Sequence, residues 1–435
     1  MTNSDKRASY EARCLSTLET ALDRTPMYEQ WRHLDPGPRA EIDERYAALP
    51  VLTKDAIRAA FPAGVVPRGK DLHAALAAGE VSFVSTSGTE DEALTNIWNQ
   101  GWWDASERAS WRLNAVASRA ARGSHPEALL ASALSVGPRT EGKPLPRRDR
   151  RLGRFLFLNE YGRAEEWPEG HEKRILAEIA DFQPAILEAN PSLLARVARY
   201  AARTGAAVWQ PPLITFTYEF TSALHMRDIR RVFASPCASS YGSTEAGYVF
   251  MECESGCLHQ NTDFCRVDLV PLDAGGPPPD SPGGIGRLLV TTFGNEWFPL
   301  LRFLIGDIGR LSPGPCPCGR TFGLTLSAIE GRLKSLCVAA DGRLVTHREL
   351  DCALARIDGL EQYRLHQESP RRVLLAVVAD PGRGEKVRRE AAATVRKVLG
   401  STVDVAASAV KEIGTERSGK FLLVSRAFPV EAACA

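Results

Sequence analysis

The sequence predicts an α/β protein: a large three-layer body followed by a small α+β unit. Three observations predict it. Short apolar runs alternate with helix-like stretches from residue 81 onward. Two Pro/Gly-rich segments, 271–285 and 311–323, interrupt that alternation. After Gly331-Arg332 the pattern changes to a compact strand–helix–strand–strand–helix–strand series.

The elements follow in order. Tyr10, Cys14, Leu18 and Leu22 recur at helical spacing, so the first 80 residues read as helical, with Thr53 standing before the helix-prone KDAIRAAF. VSFV (81–84), LLASAL (129–134), RFLFL (154–158), AILEA (185–189) and LITF (213–216) have strand length. Asp104 and Glu107 form a capping pair for a helix beginning near ASERASW. Asn190 and Pro191 suit the N-cap and first helical position of SLLARVARYAA. GRLLVTTF reads as a strand after the 271–285 turn, and the last hundred residues supply HRELDCALARI and EKVRREAAATVRKVL as helices.

The chain has 435 residues, and its 54 Lys+Arg nearly cancel 53 Asp+Glu. That balance excludes a general polyanion binder, so no nucleic-acid partner is expected. Its apolar runs all fall short of the roughly 18 residues of a membrane span, and the N-terminal MTNSDKRASYEARC lacks the apolar core of a secretory signal. A cytoplasmic protein with no membrane partner is expected. Ten cysteines in so long a chain are too sparse for a disulfide framework. Their clustering at 253, 257 and 265, and the C-P-C pair at 316 and 318, point to metal instead.

Five motifs carry chemistry. Ser85-Thr86-Ser87-Gly88-Thr89 is a hydroxyl-rich turn after a strand, suited to wrapping a phosphate with N–H and O–H donors. Tyr241-Gly242-Ser243-Thr244-Glu245 sets an aromatic, a glycine, two hydroxyls and a carboxylate side by side. Tyr241 would stack a base, Thr244 meet a phosphate and Glu245 hold Mg²⁺ through hard oxygen. Asp307 lies in a Gly-flanked turn after an apolar strand and suits the hydroxyls of a ribose. Gly331-Arg332-Leu333-Lys334 marks the composition break. Lys420, after Gly419 in ERSGKFLLVSR, could reach a phosphoanhydride as a point charge.

Singly, each motif also fits an ordinary turn or a solvated side chain. Their order does not. STSGT, YGSTE, GD, GR and a late GK resemble the adenylate-forming superfamily. LPVLTKDAIRAAFP at 49–62, DFQPAILEANPSLLARVARYA and CPCGRTFGLTLSAIEGR resemble its phenylacetate–CoA ligase branch, over about residues 45 to 425. The resemblance implies an N-terminal adenylate-forming body over 1–332 and a C-terminal mobile lid over 333–435. It implies that Ser85 to Thr89 form the phosphate loop and that Thr217-Tyr218-Glu219 line the adenine. Tyr241 would stack on adenine, with Gly242, Ser243 and Thr244 beside it, and Glu245 would bind Mg²⁺. Asp307 would hold the ribose, Arg332 would steady ribose or phosphate, Lys420 would stabilise charge during adenylation and Lys334 would be the hinge. Phe216, Tyr218 and Ser240 become walls of the acyl pocket; aromatic walls favour an aryl acid.

The sequence departs from the family at two places. The phosphate loop continues Thr89-Glu90-Asp91-Glu92 where the family has Thr-Thr-Gly-Lys, setting acids beside an expected triphosphate. Tyr218 replaces a small residue. Cys253, His259, Cys316 and Cys318 make a Cys₃His set of the structural Zn²⁺ kind, with Cys257 and Cys265 as alternative early ligands. The activity implied is ATP-dependent activation of an aromatic carboxylic acid to an acyl-adenylate, then transfer to a thiol, foremost coenzyme A. A carrier-protein thiol, an amine, AMP transfer to a hydroxyl, and a non-catalytic zinc-stabilised scaffold stay open, as does a homodimer.

Overall fold

The computed structural model describes residues 3–86, 93–272 and 279–430. The chain forms two compact units, Met1–Arg119 with Ala238–Ala328, and Ala120–Cys237 with Ile329–Ala435. These units record compactness. The body-and-lid boundary at 332 concerns which parts move and remains a proposal.

The first unit begins with the helix Asn3–Arg24 and shorter helical pieces, as the 3.6-residue spacing predicts. Thr53 caps the helix Lys54–Ala60 by accepting a bond from Ala56 N at 3.3 Å. Ser82–Ser85 pairs antiparallel with Thr95–Trp98. The helix after it starts earlier than the sequence indicates, at Gln100, because the Asn99 side chain accepts from Trp102 N at 2.8 Å. Asp104 and Glu107 are therefore not its caps. Asp104 accepts from Gln100 Nε2, and Glu107 from the Tyr248 hydroxyl. The antiparallel strands of this unit include Cys237–Ser243, Gly247–Glu252, Leu258–Gln260, Phe303–Leu311, Ile285–Thr292 and Cys265–Val270.

The second unit carries the alternating pattern. Strands Leu213–Phe216, Ile186–Ala189, Glu127–Leu130 and Phe155–Phe157 lie side by side and parallel. Their continuous apolar character fits strands covered on both faces. Helices His171–Phe182 and Pro191–Thr204 pack into the same core, with Leu156, Leu187, Leu194, Ile214 and Phe216 at its centre. Pro191 opens its helix as expected, though Asn190 makes no side-chain cap bond.

The C-terminal part of this unit differs from the expected series in two respects, its first strand and an added last one. Its first strand, Cys337–Val338, pairs only with Leu344–Val345 in a separate hairpin. The four-stranded sheet runs Asp404–Ala409, Arg372–Ala379, Leu360–Ser369, Val424–Arg426, and its last strand comes from the ERSGKFLLVSR segment. Val424–Arg426 lies parallel to Leu360–Ser369, with Val424 opposite Leu365. Helices His347–Leu354 and Gly384–Leu399 complete this core. No helix among the described residues is long and apolar enough to cross a membrane.

Candidate active site and metal-binding cluster

In the first unit the YGSTE residues form a tight hairpin. Gly242 is required there: a Cβ would meet Gly247 O at 2.1 Å. Ser243 Oγ accepts from Ala246 N and closes the turn, and Thr244 is partly exposed at its tip. Tyr241 donates its hydroxyl to Asp307 Oδ2 at 2.8 Å, joining two of the residues that the motifs singled out. Asp307 sits inside the strand Phe303–Leu311 rather than in a turn, because Gly306, at φ +95°, accommodates a kink without ending the ladder. The Glu245 side chain is 3% exposed and lies 3.1 Å from Lys54 Nζ. Ser240 is buried, and its hydroxyl has no hydrogen-bond partner among the described residues.

Of the phosphate loop, Ser87, Gly88 and Thr89 lie outside the described residues, as do Glu90, Asp91 and Glu92. Ser85 ends the strand that leads into it, and Thr86 follows. Ser85 Oγ meets Thr95 Oγ1 at 3.3 Å, and Thr86 Oγ1 accepts from Leu94 N at 2.9 Å.

In the second unit the Thr217-Tyr218-Glu219 run follows the strand Leu213–Phe216 and takes an unusual backbone path. Tyr218 has φ +68°, a left-handed conformation costly for a bulky residue. Side-chain bonds secure it. Glu188 accepts from the Tyr218 hydroxyl and from Thr217 Oγ1, the latter at 3.3 Å. Glu219 accepts from Ser192 Oγ and, at 3.3 Å, from Phe421 N. Desolvation raises the Glu219 pKa, opposed by those bonds and by the charge of Lys420. The bond from Phe421 N brings the neighbouring Lys420 near the Thr217-Tyr218-Glu219 run. Phe216 belongs to the hydrophobic core, 1% exposed, so Tyr218 is the more exposed of the two expected pocket walls in this unit.

Gly419 explains how Lys420 comes so close. At φ +75°, a Cβ there would meet Ser132 Oγ at 2.1 Å and Gly162 O at 2.4 Å. Only glycine permits both that conformation and that approach. Arg332 and Lys334 are exposed on either side of Leu333. Glu188, Ser192 and Lys54 are site residues that motif reading did not assign. All three stood in segments that resemble the family, but nothing in their spacing marked their distant partners.

The cysteine cluster lies wholly in the first unit. One ligand atom from each of Cys253, His259, Cys316 and Cys318 falls within 4.8 Å of the others. Cys253 Sγ is 3.5 Å from Cys316 Sγ, and Cys318 Sγ is 3.2 Å from His259 Nε2. A tetrahedral ion with Zn–S of about 2.3 Å and Zn–N of about 2.0 Å sets its ligand atoms roughly 3.3–3.8 Å apart. The donor set fits such an ion, and these two contacts lie close to that range. Cys265 is excluded from it, since its thiol faces the carbonyls of Val249 and Asn261. Outer contacts orient the ligands: His259 Nδ1 meets Thr325 Oγ1 at 3.3 Å, and Arg320, beside Cys318, bonds Glu254 at 2.9 Å.

Known structures define the fold first. The fold is that of adenylate-forming CoA ligases. A 2-hydroxyisobutyryl-CoA ligase captured in the postadenylation state superposes with a TM-score of 0.74 over 100% of this chain and 91% of its own, at 17% identity. Sequence then points to the branch: the chain is 27% identical over 231 residues to the phenylacetate-coenzyme A ligase of Thermus thermophilus, covering 51% of this chain and 48% of that protein. It is also 25% identical over 187 residues to Protein CapK of Staphylococcus aureus, 43% of this chain and 40% of that one. The chain thus matches less than half the length of these curated relatives. No family model matches it. The resemblance to the phenylacetate–CoA ligase branch therefore rests on sequence and fold together.

Proposed function

We propose that this protein joins a carboxylic acid to a thiol at the expense of ATP, in two steps. A carboxylate oxygen of the acid attacks the α-phosphorus of ATP; the bond to the β-phosphate oxygen breaks, and pyrophosphate leaves. The acyl-adenylate then accepts a thiolate at its carbonyl carbon, and AMP leaves with the bonding pair. Splitting one hard step into two replaces a poor oxygen leaving group with a good one. Coenzyme A is the proposed thiol, and an aryl acid the proposed substrate.

The observation that carries this reading is the placement of Lys420. Gly419 seats it beside Glu219, at the run the resemblance assigns to adenine. An ammonium there can offset charge that develops as the carboxylate and the α-phosphate approach. Tyr241 and Asp307, already bonded to each other, offer a ring face and a carboxylate to base and ribose. Mg²⁺, when bound with ATP, would neutralise phosphate charge, and Glu245 is the carboxylate proposed to hold it. Arg332 and Lys334 are the proposed phosphate contact and hinge, and Ser240 with Tyr218 the proposed pocket walls. The name of the Thermus relative supports an aryl acid. Zinc at Cys253, His259, Cys316 and Cys318 would be structural, because four protein ligands leave no open position.

Pyrophosphate release across a panel of aryl and short aliphatic acids, with and without coenzyme A, tests the proposal. Acid-dependent release, with thioester formed only when coenzyme A is present, is the expected result. No release with any acid would remove it.

A further inference from the structure

Lys54 opens the helix Lys54–Ala60, two residues beyond a point where the chain is tied to the site. Leu52 N donates to Arg302 O at 3.1 Å, and Leu304 N donates to Leu52 O at 2.9 Å. This short parallel bridge fastens the segment to the strand that carries Asp307. The Lys54 ammonium then reaches Glu245 Oε1 at 3.1 Å.

The pair is asymmetric. Glu245 is 3% exposed, whereas the Lys54 side chain is 30% exposed. A carboxylate so withdrawn from water needs a cation or strong donors. Glu245 has one such cation among the described residues. A lysine ammonium is a point charge on a flexible four-carbon stem, so it can leave without moving the backbone. A divalent cation bound to the same oxygen would repel an ammonium only a few ångströms away. Both cannot be held at once.

We propose that Lys54 is a positioning residue: it holds the buried Glu245 carboxylate in place until a divalent cation arrives with ATP, and then yields it. Lys54 and the metal are alternative partners of one carboxylate. This rests on the reading of Glu245 as the metal-facing acid.

Mn²⁺ binding in the presence of ATP, followed by the electron paramagnetic resonance of free Mn²⁺, tests the exchange without relying on turnover. The proteins are wild type, Lys54→Met, Lys54→Arg and Glu245→Gln, each also melted in chelator and in Mn²⁺ with ATP. Lys54→Met is expected to bind Mn²⁺ about tenfold more tightly. It should melt earlier in chelator and recover a larger share of the lost stability when Mn²⁺ and ATP are added. Lys54→Arg should stay near wild type, and Glu245→Gln should bind Mn²⁺ at least tenfold more weakly. Weakened binding in Glu245→Gln with unchanged or weaker binding in Lys54→Met overturns the role of Lys54 and leaves Glu245 as a metal ligand. Unchanged binding in Glu245→Gln overturns both. If Lys54→Met does not fold, Lys54→Gln, which keeps a hydrogen bond without the charge, is read by the same criteria.

Discussion

Glu245 and Glu219 are two acids that the sequence singles out, one in each compact unit, and they are held by different means. Glu245 is nearly sealed from water and faces a lysine ammonium. Glu219 takes a serine hydroxyl and a backbone N–H, with Lys420 close enough for its charge to be felt. An acid held by an exchangeable cation suits a metal that comes and goes. An acid held by fixed neutral donors suits an organic ligand recognised by shape.

The contrast can be broken most severely at the cysteine cluster. Cys316→Ser should abolish zinc binding and lower stability by more than about 3 kcal/mol, because metal-binding free energy is folding free energy. Elemental analysis and thermal melting check this, and zinc-free wild type should behave alike. Protein purified without chelator that holds no zinc would end the idea.

Next in size is Lys420→Ala. It should slow acyl-adenylate formation by about 10²–10³, the range for losing one preorganised charge-stabilising group. Attack of thiol on preformed acyl-adenylate should be nearly unaffected. Equal losses in the two half-reactions would remove the assigned role.

Gly419→Ala sharpens the comparison by attacking the packing that delivers the lysine. Its Cβ would collide with Ser132 and Gly162 in a backbone conformation that strains any L-residue. A cost of about 1–3 kcal/mol is expected, seen as slower adenylation with Lys420 still present. Wild-type rates would show that the approach is not needed.

The smallest effect belongs to Tyr218→Phe. Removing the hydroxyl leaves Glu188 short of one donor, at about 1 kcal/mol. Since the ring stays, the constant for ATP should change more than the constant for the acid if the run lines adenine. The reverse ranking would assign Tyr218 to the acyl pocket.

Much of this was legible in the sequence. The strands at 186–189 and 213–216 fell where apolar runs predicted, and Thr53 caps its helix as its position indicated, because these features depend on neighbours along the chain. Asn99 rather than Asp104 caps the next helix, since several polar residues there compete for one set of orphan N–H groups. The Cys₃His set was readable because metal ligands are few residue types at restrictive spacing. The partnership of Glu188 with Tyr218, of Ser192 with Glu219 and of Lys54 with Glu245 was not. Each joins residues far apart in the chain, and common residue types carry no sign of their distant partners.

The strand Val424–Arg426 sets a leash on Lys420. Lys420 lies four positions before Val424, and four steps of fully extended chain span about 14 Å at most. Glu416 narrows that range from the other side, donating its N–H to Lys420 O at 2.8 Å while its own carbonyl accepts from Gly419 N at 2.9 Å. As long as Val424 stays in register with Leu365, the lysine cannot wander as a free loop would. Any larger journey must carry the four-stranded sheet with it. A cross-link confined within that sheet should therefore leave both half-reactions running, whereas a disulfide replacing the exposed Thr415–Glu165 contact should permit the first and arrest the second.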